Sequence, residues 1–325
     1  MYIVPSFQPT IIQQINDYHG NQIYIKREDL LPVSFGGNKV RIAQEYLNDM
    51  ISRGFDTLVG YGNTRSNLCR VLSNLAFKAH IPCYIVSPAD DNGEIVDTNN
   101  KFLSTCCDAH YIHCQKSNVS STISELLNSL KEQNKKPYYI NGNEFGEGNE
   151  ATPINAYFNV FKEICVQEEA LKTNFDYIFL AVGTGMTYSG LTSAKIIEKD
   201  SSHNIIGISI ARTKKQCINK IENYLYSFLK TKGVSIEKEE LNKYINVTDD
   251  FLAGGYSIFN DDIKVTISQL YKEDGIYADP TYVGKAFYGM KKYIEIKDIK
   301  RKNILFIHTG STPLFFDKIK EIFGD

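Results

Sequence analysis

No stretch of this 325-residue chain approaches a membrane-spanning apolar run, so a membrane partner is not expected. The opening residues, Met1 to Thr10, also lack the basic and apolar regions of a secretory signal, and the expectation is a cytoplasmic protein. Neither sign of charge is in excess. With 36 basic against 38 acidic residues, the electrostatic case for a nucleic-acid partner is missing. The seven cysteines (Cys69, Cys83, Cys106, Cys107, Cys114, Cys165 and Cys217) are odd in number and have no CxxC spacing. That argues against a disulfide framework and against a zinc site, so no metal is expected, and free thiols in a reducing compartment are. Tryptophan is absent beside 21 Tyr and 18 Phe, a skew that reads as genome composition rather than function. Internal repeats and low-complexity linkers are lacking as well.

What is present is ordinary for a globular protein: 42% hydrophobic and 23% charged residues. The length exceeds what one compact unit usually holds, so two lobes are expected. Behind an extended lead-in, strand and helix alternate. The pattern predicts a helix to about Arg53, a strand at Thr57–Tyr61, and a helix with Leu68, Val71, Leu72, Leu75 and Ala76 on one face. Further strands are predicted at Cys83–Val86, Ala109–Ile112, Tyr138–Ile140, Tyr177–Val182, Ile205–Ile210 and Asn303–Ile307. Helices are expected over Ile123–Leu130, from about Pro153 to Glu168, up to Glu198, and over Lys214–Lys230. Such alternation is the mark of parallel α/β layers. Without a linker, a second lobe must be an insertion in the weave.

The chemistry is organised around Ser34-Phe35-Gly36-Gly37-Asn38-Lys39-Val40-Arg41. A glycine pair lets the backbone bend and approach a ligand, and it delivers Lys39 to the chain's interior, with Ile42, Tyr46 and Leu47 at helical spacing behind it. A desolvated lysine there is a nucleophilic amine; a surface lysine after a loop is the plainer alternative. Gly183-Thr184-Gly185-Met186-Thr187 lies between a strand and a helix. Backbone N–H groups and the helix dipole would converge there on a phosphate, or the turn serves only tight packing. It is neither a Walker loop nor a GxGxxG fingerprint, because Tyr188 stands at the third glycine position. Ser66 and Asn67 open another helix, either as a cap or as site residues. His308-Thr309-Gly310 ends a buried strand, at the sheet edge where open α/β proteins place ligands, or is a simple turn. Tyr256 and Tyr282 are site residues or core aromatics. A desolvatable lysine, a lysine-free phosphate loop and polar groups at strand ends together suggest pyridoxal phosphate, held covalently by Lys39.

Ile25-Lys26-Arg27-Glu28-Asp29-Leu30, followed by Gly36-Gly37-Asn38-Lys39-Val40-Arg41, resembles the D-cysteine desulfhydrase and 1-aminocyclopropane-1-carboxylate deaminase family. The likeness recurs in order at Ser66-Asn67 with Arg70, Gly183 to Leu191, Gly255-Tyr256, Asp279-Pro280 to Lys285, and Phe306 to Gly310. It implies a two-lobed α/β fold like the tryptophan synthase β-subunit (fold type II), with twisted, mostly parallel sheets flanked by helices. The expected large cofactor-binding domain is 1–41 plus 156–325, with 42–155 as a small inserted domain, the cofactor between them, and a homodimer. Lys39 matches the Schiff-base lysine and proton shuttle. Asn67 matches the partner of the cofactor's phenolic oxygen, and Ser66 a residue facing the substrate. Gly183 to Thr187 match the phosphate cradle. Tyr256 and Tyr282 match active-site tyrosines, and Thr309 a hydroxyl beside the pyridine nitrogen.

Within that family, ring-opening deaminases carry a glutamate after the tyrosine matched by Tyr282 and lack a hydroxyl at the place of Thr309; here Val283 follows. The resemblance therefore implies α,β-elimination from D-cysteine or a related β-substituted amino acid. For general-base work, burial and a cationic neighbourhood must lower the lysine pKa, with Arg41 and Arg65 as candidate neighbours. Leu68 and Ser311 replace a usual histidine and a usual glycine, and the loop Asn143 to Glu150 is more acidic than expected. Those departures keep a β-replacement synthase open as an alternative. Ring opening, and a degenerate cofactor-binding relative without catalysis, are the others.

Overall fold

The computed structural model describes residues 7–90 and 93–324. Residues 1–6, expected in the larger domain as part of the extended lead-in, lie outside the described residues, as do 91, 92 and 325. The chain forms two compact units, one of residues 39–153 and one of residues 7–38 with 154–324. It opens with β1 (Ile12–Gln14) paired antiparallel to β2 (Gln22–Arg27).

The unit of residues 39–153 contains α1 (Asn38–Ser52, beginning one residue earlier), β3 (Thr57–Tyr61), α2 (Asn67–Lys78), β4 (Cys83–Pro88), α3 (Asn99–Thr105), β5 (His110–Cys114), α4 (Val119–Glu132) and β6 (Pro137–Tyr139). Its four strands run parallel in the order β5-β4-β3-β6. The helix starts are set by local chemistry. Ser66 Oγ accepts the Cys69 N–H at 3.2 Å, and Thr98 Oγ1 accepts that of Lys101 at 3.2 Å. Helix α2 then buries Leu68, Val71, Leu72, Leu75 and Ala76, the stripe its spacing predicts.

The other unit continues with α5 (Ile154–Leu171), β7 (Tyr177–Val182), α6 (Met186–Ile197), β8 (Asn204–Ser209), α7 (Lys214–Thr231), β9 (Val247–Thr248), α8 (Asp261–Asp274), α9 (Val283–Ile296), β10 (Asn303–His308), α10 (Thr312–Asp317) and α11 (Ile319–Phe323). Its six-stranded sheet has the order β1-β2-β10-β7-β8-β9, parallel throughout except at β1. Strands β7 and β10 read as unbroken apolar runs because both of their faces are covered. The core gathers Ile23, Phe179, Ile206, Ile208, Met290 and Phe306. Helices α8 and α9 lie where the alternation singles out no element. Helix α8 is polar in sequence with a narrow buried stripe, and its ends are set by Asn260, whose side chain accepts the Ile263 N–H, and by Gly275 at φ 69°.

The last strand of the chain thus lies between β2 and β7, and the carboxyl ends of β2, β10, β7 and β8 meet at one edge of this sheet. All seven cysteines are free thiols. Among the described residues no helix is long and apolar enough to cross a membrane.

Candidate active site

At that edge β7 empties into Gly183-Thr184-Gly185, and α6 starts at Met186. Gly185 takes φ 96°, a left-handed conformation that favours glycine, and as the N-cap it offers no side-chain acceptor. The N–H groups of Thr184, Gly185, Met186 and Thr187 donate to no protein acceptor among the described residues. Uncapped N–H groups at the positive end of a helix dipole form an anion site.

The loop before Lys39 bends through four successive positive φ values: Ser34 47°, Phe35 60°, Gly36 65° and Gly37 98°. It presses against the end of β10. A Cβ on Gly37 would stand 2.8 Å from the Thr309 carbonyl oxygen, and one on Gly310 would stand 2.5 Å from the Gly37 Cα. The Asn38 N–H donates to that same Thr309 carbonyl at 3.0 Å, while Asn38 Nδ2 donates to Thr187 Oγ1 at 2.8 Å. Asn38 therefore ties the end of β10 to the first turn of α6, and Lys39 is the next residue. The Lys39 amine has no hydrogen bond or ion pair to a described residue, although its side chain is half-buried. Desolvation lowers its pKa from 10.5 to about 8.

Here the structure corrects the sequence reading. Burial alone lowers Lys39, and no cation contributes. Arg65 is instead paired with Asp90, Nη1 to Oδ2 at 2.6 Å.

Tyr256 Oη and Tyr282 Oη are 2.8 Å apart, with their rings edge to face. The pair belongs beside the glycine loop, since a Cβ on Gly183 would lie 3.4 Å from the Tyr282 ring. Burial pushes the Tyr282 hydroxyl well above its usual pKa, and Tyr256 adds to the shift. Asp279 shapes the entry to α9: its carboxylate accepts the N–H groups of Thr281 (2.9 Å), Tyr282 (2.9 Å) and Val283 (3.0 Å). Burial raises Asp279 itself to about 6. Lys285 Nζ, fully buried, donates to the carbonyls of Ile210 (3.2 Å), Leu252 (2.8 Å) and Gly255 (2.6 Å), which pins the segment carrying Tyr256.

His308 is buried and its pKa is lowered by desolvation. Its Nε2 lies 2.6 Å from the Tyr277 carbonyl, and Nδ1 lies 3.2 Å from the Gly310 N–H and 3.4 Å from Asp29 Oδ1, whose charge opposes the effect of burial. Thr309 is buried, and its hydroxyl bonds to no described residue.

Ser66 and Asn67 belong to the unit of residues 39–153. Ser66 is the cap of α2, as one reading of its position has it, and Asn67 begins the helix, buried, with Oδ1 accepting from Asn100 Nδ2 at 3.0 Å. Glu147 in the acidic loop is exposed, and the loop is closed on itself by Asn143 Oδ1, which accepts the Phe145 and Glu147 N–H groups at 3.0 Å each.

The pyridoxal-phosphate dependent enzyme family matches the chain over residues 5–310. The chain belongs to that family. Among solved structures, it is similar to an ACC deaminase homologue at 26% identity, with a TM-score of 0.83 over 99% of this chain and 94% of that one. A hydrogen sulfide-producing enzyme from Fusobacterium nucleatum shares the fold at 20% identity and TM-score 0.61, over 94% of this chain and 96% of that one. A cysteine synthase from Entamoeba histolytica does so at 16% and 0.68, over 99% and 90%. The fold is the α/β arrangement of type II enzymes of the family, parallel sheets flanked by helices.

The chain's own groups suit this family's cofactor. It carries an anionic phosphate, a carbonyl carbon and a heterocyclic nitrogen. The uncapped N–H groups of 184–187, the unpaired Lys39 amine and the unbonded Thr309 hydroxyl correspond to these in kind. When bound, the cofactor supplies an electron sink for a substrate carbon.

Sequence reasoning passed over the positioning role of Asn38 and gave none to Arg212, whose Nη1 donates to the Gly183 carbonyl. Asn38 stands beside Lys39 in the quoted string. For Arg212 the only local signal is its place between a buried strand and the Thr213 cap of α7.

Proposed function

We propose that this enzyme eliminates the β-substituent of D-cysteine or a related amino acid: D-cysteine and water give pyruvate, ammonia and hydrogen sulfide. The Tyr256–Tyr282 hydroxyl pair beside the glycine loop carries this reading. A leaving thiolate is stabilised by a hydrogen-bond donor, and a buried phenol that keeps its proton at neutral pH remains such a donor throughout. In this reading Tyr282 Oη donates a hydrogen bond to the leaving sulfur, which departs as hydrosulfide and takes its proton from water, and Tyr256 Oη, at 2.8 Å, orients the phenol. Lys39 Nζ, with its lowered pKa, holds the cofactor covalently at rest and removes the α-proton during turnover. Thr309 faces the ring nitrogen, the N–H groups of Gly183, Thr184, Gly185, Met186 and Thr187 with the Thr187 hydroxyl hold the phosphate, Asn67 serves the phenolic oxygen, and Ser66 the substrate.

The residue after Tyr282 also supports elimination over ring opening. Val283 is wholly buried in the core and brings no carboxylate. The similarity to a hydrogen sulfide-producing enzyme agrees with elimination, and that to an ACC deaminase homologue supplies the competing outcome.

The test is purified holoenzyme with D-cysteine, L-cysteine and 1-aminocyclopropane-1-carboxylate in separate reactions. Equimolar pyruvate and sulfide from D-cysteine are expected. Production of 2-oxobutyrate from the cyclopropane substrate, with no sulfide from either cysteine, would refute the reading. Consumption of the amino acid only when a second nucleophile is added would make the protein a replacement synthase. We also propose a homodimer, to be checked by light scattering.

A further inference from the structure

We propose that Arg212 is a positioning residue for the phosphate loop: by holding the Gly183 carbonyl, it turns the Thr184 N–H towards the cofactor phosphate. The inference rests on the cofactor reading of the loop, not on the identity of the substrate. Carbonyl and N–H of one planar trans peptide point in opposite directions. Whatever fixes the Gly183 oxygen therefore fixes the direction of the Thr184 N–H. Arg212 Nη1 donates to that oxygen. The N–H on the far side of the same peptide, and the next three along the chain, have no protein acceptor among the described residues.

Arg212 is itself anchored. Its backbone N–H donates to Ser209 Oγ at 3.2 Å, and its carbonyl accepts from the same hydroxyl at 2.6 Å. Cys217 Sγ, one turn into α7, donates to Ser209 Oγ at 3.4 Å. Lys285 holds the carbonyl of Ile210, two residues before, at 3.2 Å. A rigid strand end thus carries a guanidinium to a loop whose glycines leave its peptide planes otherwise free to rotate. The guanidinium also supplies positive charge near Tyr282, whose ring borders Gly183. A phosphate would feel both the fixed N–H array and this charge.

The experiment compares pyridoxal phosphate with unphosphorylated pyridoxal as ligands of the stripped, full-length protein, in wild type, Arg212→Ala, Arg212→Gln and Arg212→Lys. For wild type, tighter binding of the phosphorylated form is expected; equal binding would overturn the phosphate reading of the loop itself. For Arg212→Ala the preference should fall at least about tenfold, the usual effect of losing a hydrogen bond from a charged donor, with pyridoxal affinity unchanged. Gln and Lys each retain a donor and should restore part of the preference. The ³¹P resonance of bound pyridoxal phosphate should shift and broaden in Arg212→Ala and return towards wild type in Arg212→Lys. An undiminished preference with an unmoved ³¹P signal in Arg212→Ala would overturn the proposal. So would equal loss of both ligands in all three variants, which marks a general folding role.

Discussion

The ionisation of Lys39 gives the sharpest test of the site. Burial lowers this amine from 10.5 to about 8. At pH 7.5 an amine with a pKa of 10.5 is unprotonated in about one molecule in a thousand, and one at about 8 in about a quarter, a gain of roughly 240-fold in the nucleophilic form. A base with a depressed pKa gains this form as pH rises through the lowered value, so the profile is a rising one. The perturbation is pH itself, from 6 to about 10.5, applied to stripped protein mixed with pyridoxal. The unphosphorylated aldehyde isolates the amine from the anion site. Adducts are fixed by borohydride reduction and counted residue by residue by peptide mass spectrometry, which makes every other lysine an internal control. Lys39 labelling should rise with a midpoint near 8. That of Lys302, which Asp176 raises above its ordinary value, should rise only at the top of the range. Burial also lowers Lys285 to about 8, but that amine is fully buried and bonded to three carbonyls and should stay unlabelled, so Lys39→Ala should remove the low-pH component. A Lys39 midpoint at or above about 10, the ordinary lysine value, would refute the desolvation argument, and an unchanged low-pH component in Lys39→Ala would refute the residue assignment.

Four further outcomes are expected. Tyr282→Phe should lower the elimination rate by about tenfold or more, the usual effect of losing a hydrogen bond to a charged group, while cofactor absorbance stays at the wild-type level; a rate within about threefold would remove the phenol from the reaction. Gly37→Ala forces a Cβ to 2.8 Å from the Thr309 carbonyl at φ 98°, so a loss of about 2 kcal/mol or more and a reduced covalent cofactor content are expected by denaturant unfolding and spectroscopy. Lys285→Met leaves the carbonyls of Ile210, Leu252 and Gly255 without their donor in a buried place, and a lowered melting temperature should accompany weaker turnover. His203 is held above its ordinary 6.5 by the Glu168 carboxylate, 3.0 Å away, and by Asp200, against the opposing effect of burial. The folded protein thus keeps a proton that the unfolded chain releases above about 6.5, so this stabilisation is complete below that pH and is lost as pH rises through the folded value. Urea midpoints of wild type against His203→Gln should converge as the pH rises; a difference that stays constant from pH 5 to 9 would contradict the ion pair.

Much of this molecule is local physics and was open to reading from the residues. Tyr177–Val182 is an unbroken apolar run and becomes a strand covered on both faces. Ser66 precedes an apolar stripe and caps the helix that carries it. The glycines of 183–187 turn a strand into a helix with its N–H groups uncapped, and Gly36-Gly37 delivers Lys39 to a helix start. Each of these depends on neighbours within a few positions, where periodicity and capping act. Helices α8 and α9 escaped because polar starts and glycines blur the apolar period that their burial requires. What only the tertiary structure decided is the company each site residue keeps. Asn38 meets Thr187 across 149 positions, and the two tyrosines join across 26. Arg212 reaches Gly183 because β8 pairs beside β7, and Gly37 meets Thr309 because β10, last in the chain, lies against β2, which leads into the lysine loop. Strand order is fixed by the summed burial of whole faces and not by any short run of residues, so these partners are set by the folded sheet alone.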